Sequence, residues 1–116
     1  MVEVFKALAE ETRLRIIAQI MKGDMCVCEI EECLKLTQSN ASRHLNALRR
    51  AGILTCYKNA QWSYYKLSDE FCKNHHDLYL YLQDKITKIP QYQEDNKNYE
   101  WCKTHDICSN RKLVEH

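Results

Sequence analysis

The stretch TQSNASRHLNALRRAGILTCYKNAQWSYYKLS, residues 37–68, decides the fold of this chain. In its first half, apolar residues recur at steps of three and four, as they do on the inward face of an amphipathic helix. These residues are Ala41, Leu45 and Leu48. The spacing predicts a helix from about residue 38 to residue 51, with polar side chains on its opposite face.

The segments before and after this helix predict the other elements of a helix-turn-helix with a hairpin. Thr37 is the candidate N-cap, and Gly52 ends the helix. After Gly52 the apolar period changes to two, with β-favouring residues on both sides of the polar KNAQ, which predicts a β-hairpin. Upstream, a short helix is predicted for residues 28–34. A short helix, a tight link, a longer helix and a hairpin follow one another in a winged helix-turn-helix, a mainly α fold with a β-hairpin (α+β).

Helical periodicity also marks both sides of this stretch. Residues 2–22 read as two helices, and residues 69–89 carry a regular apolar stripe that predicts one helix ending before Pro90. We therefore expect one winged helix-turn-helix and dimerisation domain over residues 1–90, followed by a polar tail over residues 91–116. Two cysteines lie in that tail, Cys102 and Cys108.

The distribution of charge points to an anionic partner. Residues 33–68 carry six of the 17 basic residues and none of the 16 acidic ones, whereas a merely solvated surface would mix both signs. In this fold the second helix enters the major groove of double-stranded DNA, and the hairpin reaches the backbone or the minor groove. The candidate DNA contacts are Gln38, Ser39, Asn40, Ser42, Arg43, His44 and Arg49 on the helix and Lys58 and Asn59 on the hairpin.

Several other classes of protein are disfavoured. No apolar run approaches the roughly 20 residues that span a bilayer, and no signal peptide is recognisable, so we expect a cytoplasmic chain without membrane contact. Seven cysteines, an odd number, in a reducing compartment point to metal binding, redox chemistry or packing rather than a disulfide framework. An enzyme is not expected, because the chain lacks a Cys-x-x-Cys motif, strand–helix alternation and an acid–base pair around a pocket.

Cys26 and Cys28 are the candidate metal ligands. Within a regular helix, residues two apart point about 200° away from each other, so these two sulfurs could not hold one ion. If Cys26 instead takes the extended backbone of a cap position, the two thiols can converge. The N-terminus of a helix also favours thiolate over thiol. Soft thiolates select soft ions, here trivalent arsenic or antimony, with cadmium, lead or zinc as weaker alternatives.

A third ligand is not evident near this pair. Cys33 lies seven residues after Cys26, about 10 Å along a helix, which is too far for one arsenic atom. We therefore expect Cys33 to be a buried packing residue. The tail cysteines Cys102 and Cys108 are the remaining candidate ligands: they either complete the site with Cys26 and Cys28, form a site of their own, or take no part.

Four segments carry a family resemblance. FKALAEETRLRII (5–17), CVCEI (26–30), TQSNASRHLNALRRAGIL (37–54) and WSYYKL (62–67) together resemble the ArsR/SmtB family of metalloregulatory transcriptional repressors, in its arsenic-responsive branch. The resemblance implies a homodimer, formed through the first and last helices, that covers an inverted-repeat operator and represses an arsenic-resistance operon. It implies no cofactor for DNA binding, and release when As(III) or Sb(III) binds cysteine thiolates as inducer.

The hairpin tip departs from the family pattern. Family members usually carry an arginine and a glycine there, whereas this chain has Ala60 and Gln61, so we expect a weaker contribution of the wing to DNA binding. Two alternatives remain open. One is a thiol-based redox-sensing regulator, in which close cysteines oxidise to disulfides. The other is a regulator of the same fold that responds to another soft metal through the C-terminal cysteines.

Overall fold

The computed structural model describes residues 1–105. Within these residues, seven helices surround a small three-stranded sheet. The elements are α1 Val2–Leu8, α2 Glu11–Ile20, β1 Met25–Cys26, α3 Val27–Leu34, α4 Gln38–Arg50, β2 Leu54–Asn59, β3 Trp62–Leu67, α5 Asp69–Asn74, α6 His76–Ile86 and α7 Tyr92–His105. Every helix in this part of the chain is too short or too polar to cross a bilayer.

Helices α3 and α4 and the β2–β3 hairpin form the predicted winged helix-turn-helix, so the predicted fold class is confirmed. The Thr37 hydroxyl accepts a hydrogen bond from the Asn40 backbone N–H at 3.2 Å, as a helix cap should. At the other end, Gly52 has a φ of 79°, a left-handed conformation that glycine adopts without steric cost. Leu45 and Leu48 are fully buried, which places the apolar face of α4 inward.

The sheet has one strand that the sequence did not predict. The strand order is β1-β3-β2, and both pairings are antiparallel. In β1, Cys26 pairs with Tyr64 of β3, next to the pair formed by Met25 and Tyr65. This pairing holds the residues just before α3 in an extended conformation against the wing.

The core lies between α2, α3, α4 and the sheet. Ile16 and Ile17 of α2, Ile30 of α3 and Ile53 before β2 are all completely buried. Burying one such aliphatic side chain stabilises a fold by about 1.5–3 kcal/mol. The same core extends to Ile86 of α6, so the helices outside the helix-turn-helix share its apolar interior.

The helix predicted for residues 69–89 is instead two helices. The break falls at His75, whose φ of −123° and ψ of 46° are not helical, and no glycine or proline marks it. Phe71 of α5 is buried in the core, and the centre of its ring lies 5.6 Å from the centre of the His75 ring. With α6 starting again at His76, Leu82 reaches the core as well.

Residues 92–105, predicted to belong to a polar tail, form α7, which packs on α3 and α2. The helix carries few apolar residues, which is why the sequence suggested a tail. It nevertheless buries Asp95, Tyr99 and Cys102. A domain boundary at residue 90 stays a prediction, and Cys108 lies outside the described residues.

Candidate DNA-binding surface and thiol site

The outward face of α4 carries most of the candidate DNA contacts. Five of these candidate residues are exposed and a sixth, Ser42, is half-buried. The apolar residues of the same helix face the core. The exposed ones are Gln38, Ser39, Asn40, Arg43 and Arg49. Their amide, hydroxyl and guanidinium groups are those that pair with base edges and phosphates. The helix therefore has the shape and chemistry of a recognition helix.

His44 lies on the other side of α4, which the sequence analysis did not anticipate. His44 is only 5% exposed. Its Nδ1 atom lies 3.1 Å from Arg13 Nε and 3.2 Å from Glu10 Oε2. Burial lowers the pKa of His44, and the adjacent Arg43 charge lowers it further, against the opposing effect of Glu10. In this position the imidazole holds α4 against the start of α2 rather than facing outward.

The wing extends the same surface. Lys58 and Asn59 are exposed beside the hairpin turn, where Ala60 has a φ of 58°. Near the tip, the rings of Tyr57 and Tyr64 stack with their centres 5.7 Å apart. The Tyr57 hydroxyl also donates a 2.7 Å hydrogen bond to an oxygen of the Asp24 carboxylate. The wing is thus tied to the segment that leads into β1.

Positive charge continues at the C-terminal end of α4. Asn46, Arg49 and Arg50 line an open cleft of about 430 Å³. The Arg49 side chain of α4 lies close enough to Tyr65 of β3 to oppose the rise that burial causes in the pKa of Tyr65, which places the end of α4 beside the wing. The basic surface therefore runs from α4 to the hairpin, as the absence of acidic residues between positions 33 and 68 predicted.

The thiols of Cys26 and Cys28 converge at the N-terminus of α3. Cys26 is the N-cap, with an extended φ of −82° and ψ of 163°, and Cys28 lies in the first turn. Their sulfur atoms are 2.9 Å apart, and the residues are 0% and 2% exposed. The cap position of Cys26 is the geometry that the i, i+2 spacing of the two cysteines requires for both sulfurs to meet one atom. The pairing of Cys26 with Tyr64 helps to hold this extended backbone.

Two aromatic residues that the sequence analysis did not connect with the thiols pack against them. Trp62 and Tyr64 of β3 form one small cluster with Cys26 and Cys28. The two aromatic side chains lie two residues apart on a strand and so share one face of the hairpin, which was visible in the sequence. The thiol pair therefore contacts the wing as well as the first helix of the helix-turn-helix.

The backbone of Cys26 is held by a second contact. Its N–H donates a 3.0 Å hydrogen bond to Glu29 Oε1, which is half of a capping box at the start of α3. The other oxygen of Glu29 accepts a 3.3 Å hydrogen bond from Lys103 Nζ of α7. Burial is the largest single influence on the pKa of Lys103 and lowers it, but the charge and hydrogen bond of Glu29, together with Tyr99 and Cys33, raise it more in sum, so the net shift is upward.

Cys102, the other candidate ligand among the described residues, does not join this pair. Cys33 is fully buried, as predicted, with its thiol 3.7 Å from the Asn98 carbonyl and in contact with the Cys102 thiol. Burial raises the pKa of both Cys33 and Cys102. Within residues 1–105, no group of three or more histidine, cysteine or acidic side chains could hold a metal ion together. The described donor set at the first turn of α3 is therefore the two sulfur atoms of Cys26 and Cys28.

Comparison with known proteins agrees with this architecture. Residues 10–55, from the N-cap of α2 into β2, match the family described as "Bacterial regulatory protein, arsR family". Arsenic resistance transcriptional regulator ArsR1 of Pseudomonas putida is 48% identical over 68 residues, which are 58% of this chain and 53% of that protein. The chain thus spans about half the length of this relative.

Two further proteins match over more of their length. Arsenic resistance transcriptional regulator ArsR2 of P. putida is 38% identical over 95 residues, 81% of this chain and 80% of that protein. A solved homodimeric winged helix-turn-helix DNA-binding domain from Mycobacterium bovis, a possible ArsR-family regulator, has a TM-score of 0.63 and 26% identity, covering 72% of this chain and 78% of that one. These proteins are transcription regulators rather than enzymes. The chain belongs to the ArsR family of bacterial regulatory proteins, which bind DNA through a helix-turn-helix.

Proposed function

We propose that this chain represses transcription of an arsenic-resistance operon and leaves its operator when trivalent arsenic or antimony binds the thiolates of Cys26 and Cys28. The observation that carries the proposal is the convergence of two buried sulfurs, 2.9 Å apart, at the start of the helix-turn-helix. Two relatives described above are named as arsenic resistance regulators, which supports the same inducer class. No cofactor is needed for DNA binding.

The chemistry of the pair suits a thiophilic ion. Thiolate ligands select soft ions, and the N-terminus of α3 adds a partial positive charge that favours the deprotonated sulfurs. Only two thiols are present at this position within residues 1–105, so we propose that solvent or a tail thiol such as Cys108 completes the coordination. Cys102 is less suited to that role, because it packs against Cys33.

Release of DNA follows from what the thiols contact. An ion bound between Cys26 and Cys28 needs room among Trp62 and Tyr64, so it displaces the wing strand as well as the first turn of α3. The wing and the recognition helix would then no longer fit DNA together. The inducer must bind this off-DNA conformation more tightly than the DNA-bound one. Each tenfold loss of operator affinity requires a difference of about 1.4 kcal/mol between the two binding free energies of the inducer.

We propose that the chain acts on DNA as a homodimer. Large apolar side chains are exposed on α1 and on α6, as they would be on a surface covered by a second copy. These are Val2, Phe5, Leu80 and Tyr81. A twofold dimer presents two copies of α4, which accounts for an inverted-repeat operator. His44 is left out of the proposed direct contacts because it is buried, and Lys58 and Asn59 would contact the backbone from the wing.

The test is the release of DNA carrying the promoter of the chain's own operon, measured by fluorescence anisotropy. Sodium arsenite should release the wild type, whereas Cys26→Ser and Cys28→Ser should bind DNA normally and ignore arsenite. Serine is itself a good N-cap, so Cys26→Ser removes the sulfur but keeps the start of α3. Cys72→Ser is the matched control, since Cys72 is a half-buried cysteine on α5, away from the pair.

Each other outcome points to a different mechanism. If both single variants still respond to arsenite, the site lies elsewhere, and Cys102 and Cys108 are tested next. Release by peroxide without release by arsenite supports the thiol-based redox regulator instead. Release by cadmium or zinc that depends on the C-terminal cysteines supports a regulator of another soft metal.

A further inference from the structure

We infer that Glu29 and Lys103 are positioning residues of the thiol site, through which α7 sets the affinity for the inducer without supplying a ligand. The inference rests on the proposed function of Cys26 and Cys28. Its basis is a continuous set of contacts: Lys103 Nζ to Glu29 Oε2 at 3.3 Å, and Cys26 N to Glu29 Oε1 at 3.0 Å. The two ends of this relay lie on α7 and at the cap of α3.

Glu29 acts on the backbone conformation of Cys26. By accepting the Cys26 N–H, its carboxylate holds the cap residue extended, and only this conformation lets the two sulfurs converge. Without that acceptor, the first turn of α3 can fray and the thiols separate. A site whose ligands are already in place binds more tightly than one that must order them first.

Lys103 acts through Glu29. The Glu29 side chain is 13% exposed and the Lys103 side chain 39%, so the ion pair lies at the edge of the interior rather than free in water. The ammonium fixes one carboxylate oxygen and leaves the other directed at Cys26.

Helix α7 is held to α3 by more than this pair. The Cys33 and Cys102 thiols lie in contact between the two helices, and the Cys33 thiol lies 3.7 Å from the Asn98 carbonyl of α7. Lys103 therefore belongs to a helix that is packed against α3, which fixes the position of its backbone relative to Glu29. A change in α7 should accordingly reach the thiol pair, although α7 contributes no ligand to it.

The experiment measures sodium arsenite affinity by the fluorescence of Trp62, which packs against the thiols, in a Trp101→Phe background. Glu29→Ala should weaken arsenite binding about tenfold, because the cap acceptor is lost. Glu29→Gln keeps an acceptor oxygen and should recover most of that loss. Lys103→Met keeps the alkyl stem and should weaken binding only about two- to fourfold, as expected of a partly exposed ion pair.

Two further readouts separate positioning from general stability. Lys103→Met should have no effect in the Glu29→Ala background, because Lys103 acts only through Glu29. Added NaCl should weaken arsenite binding by the wild type but not by Lys103→Met, since salt screens the ion pair. Lys97→Met is the matched control, an exposed lysine on the same helix. DNA binding, measured alongside, verifies that each variant is folded.

The outcomes distinguish this inference from the proposed function. Arsenite binding that survives Cys26→Ser and Cys28→Ser refutes the proposed function, and this inference with it. If those variants abolish binding while Glu29→Ala and Lys103→Met bind arsenite as Lys97→Met does, only the inference is refuted. Equal losses for Glu29→Gln and Glu29→Ala also count against it, because the acceptor oxygen would then be irrelevant.

Discussion

Removing the Asp95 carboxylate should destabilise the protein more than removing any exposed acidic group. Both oxygens of Asp95 accept hydrogen bonds from the Arg15 guanidinium, at 2.8 and 2.9 Å. Arg15 also donates to the carbonyl of Leu34 at 3.0 Å, so one guanidinium joins α2, α7 and the end of α3. The hydrogen bonds with Asp95 raise the pKa of Arg15, against the lowering effect of burial.

The expected magnitude follows from the burial of the pair. The Asp95 side chain is 1% exposed and that of Arg15 is 16% exposed. Removing one partner of a buried ion pair costs about 3–5 kcal/mol, because the other charge is left without compensation. Since Arg15 keeps some contact with water, we expect about 3 kcal/mol for Asp95→Ala. Replacing both partners by apolar residues, Arg15→Met with Asp95→Leu, should recover most of this loss.

The assay is urea unfolding followed by circular dichroism, with all variants at one protein concentration because a dimer's stability depends on it. The control is Asp84→Ala. Asp84 is 63% exposed and, within residues 1–105, its carboxylate pairs with the surface lysines Lys85 and Lys88, so its removal should cost less than about 0.5 kcal/mol. If Asp95→Ala loses no more stability than Asp84→Ala, the reasoning from burial is refuted.

Two other changes test the recognition helix and the wing. Because burial lowers the pKa of His44, the folded state favours the neutral ring, so stability should be complete above the unfolded pKa of about 6.5 and fall as the pH drops below it. Urea midpoints between pH 5 and 8 should show this slope in the wild type and a shallower one in His44→Gln; equal slopes would contradict it. At the wing tip, Ala60→Gly should stabilise the protein by about 0.5–1 kcal/mol, since φ is 58° there and only glycine adopts it freely. A lower urea midpoint for this variant would show that Ala60 is not strained.

Local patterns in the sequence were enough to predict the helix-turn-helix and the wing. These features depend on interactions between residues close together in the chain, so each produces a recognisable sequence pattern. They are the cap at Thr37, the apolar positions of α4 and the polar hairpin turn. The thiol pair was also recognisable. Its spacing of two residues implied that Cys26 had to be a cap, because a regular helix would separate the sulfurs.

The surroundings of the site were not predictable in this way. His44 has the composition of a base-contacting residue, yet it is buried against α2. Nothing in the apolar period of residues 69–89 marks the break at His75, and no glycine or proline lies there. Helix α7 was predicted as a tail because few of its residues are apolar; it is attached to the core by two buried residues, Tyr99 and Cys102, and by the ion pair of Asp95 with Arg15.

The sequence by itself determined the family, the winged helix-turn-helix and the two thiols at the start of α3, because each depends on neighbours within a turn or a strand. The tertiary structure alone decided which residues surround those thiols and hold them in place. The long-range polar contacts of α7 join Arg15 to Asp95, 80 residues apart, and Glu29 to Lys103, 74 residues apart. Such pairs have no periodicity along the chain, and only the packing of α7 on α2 and α3 brings them together.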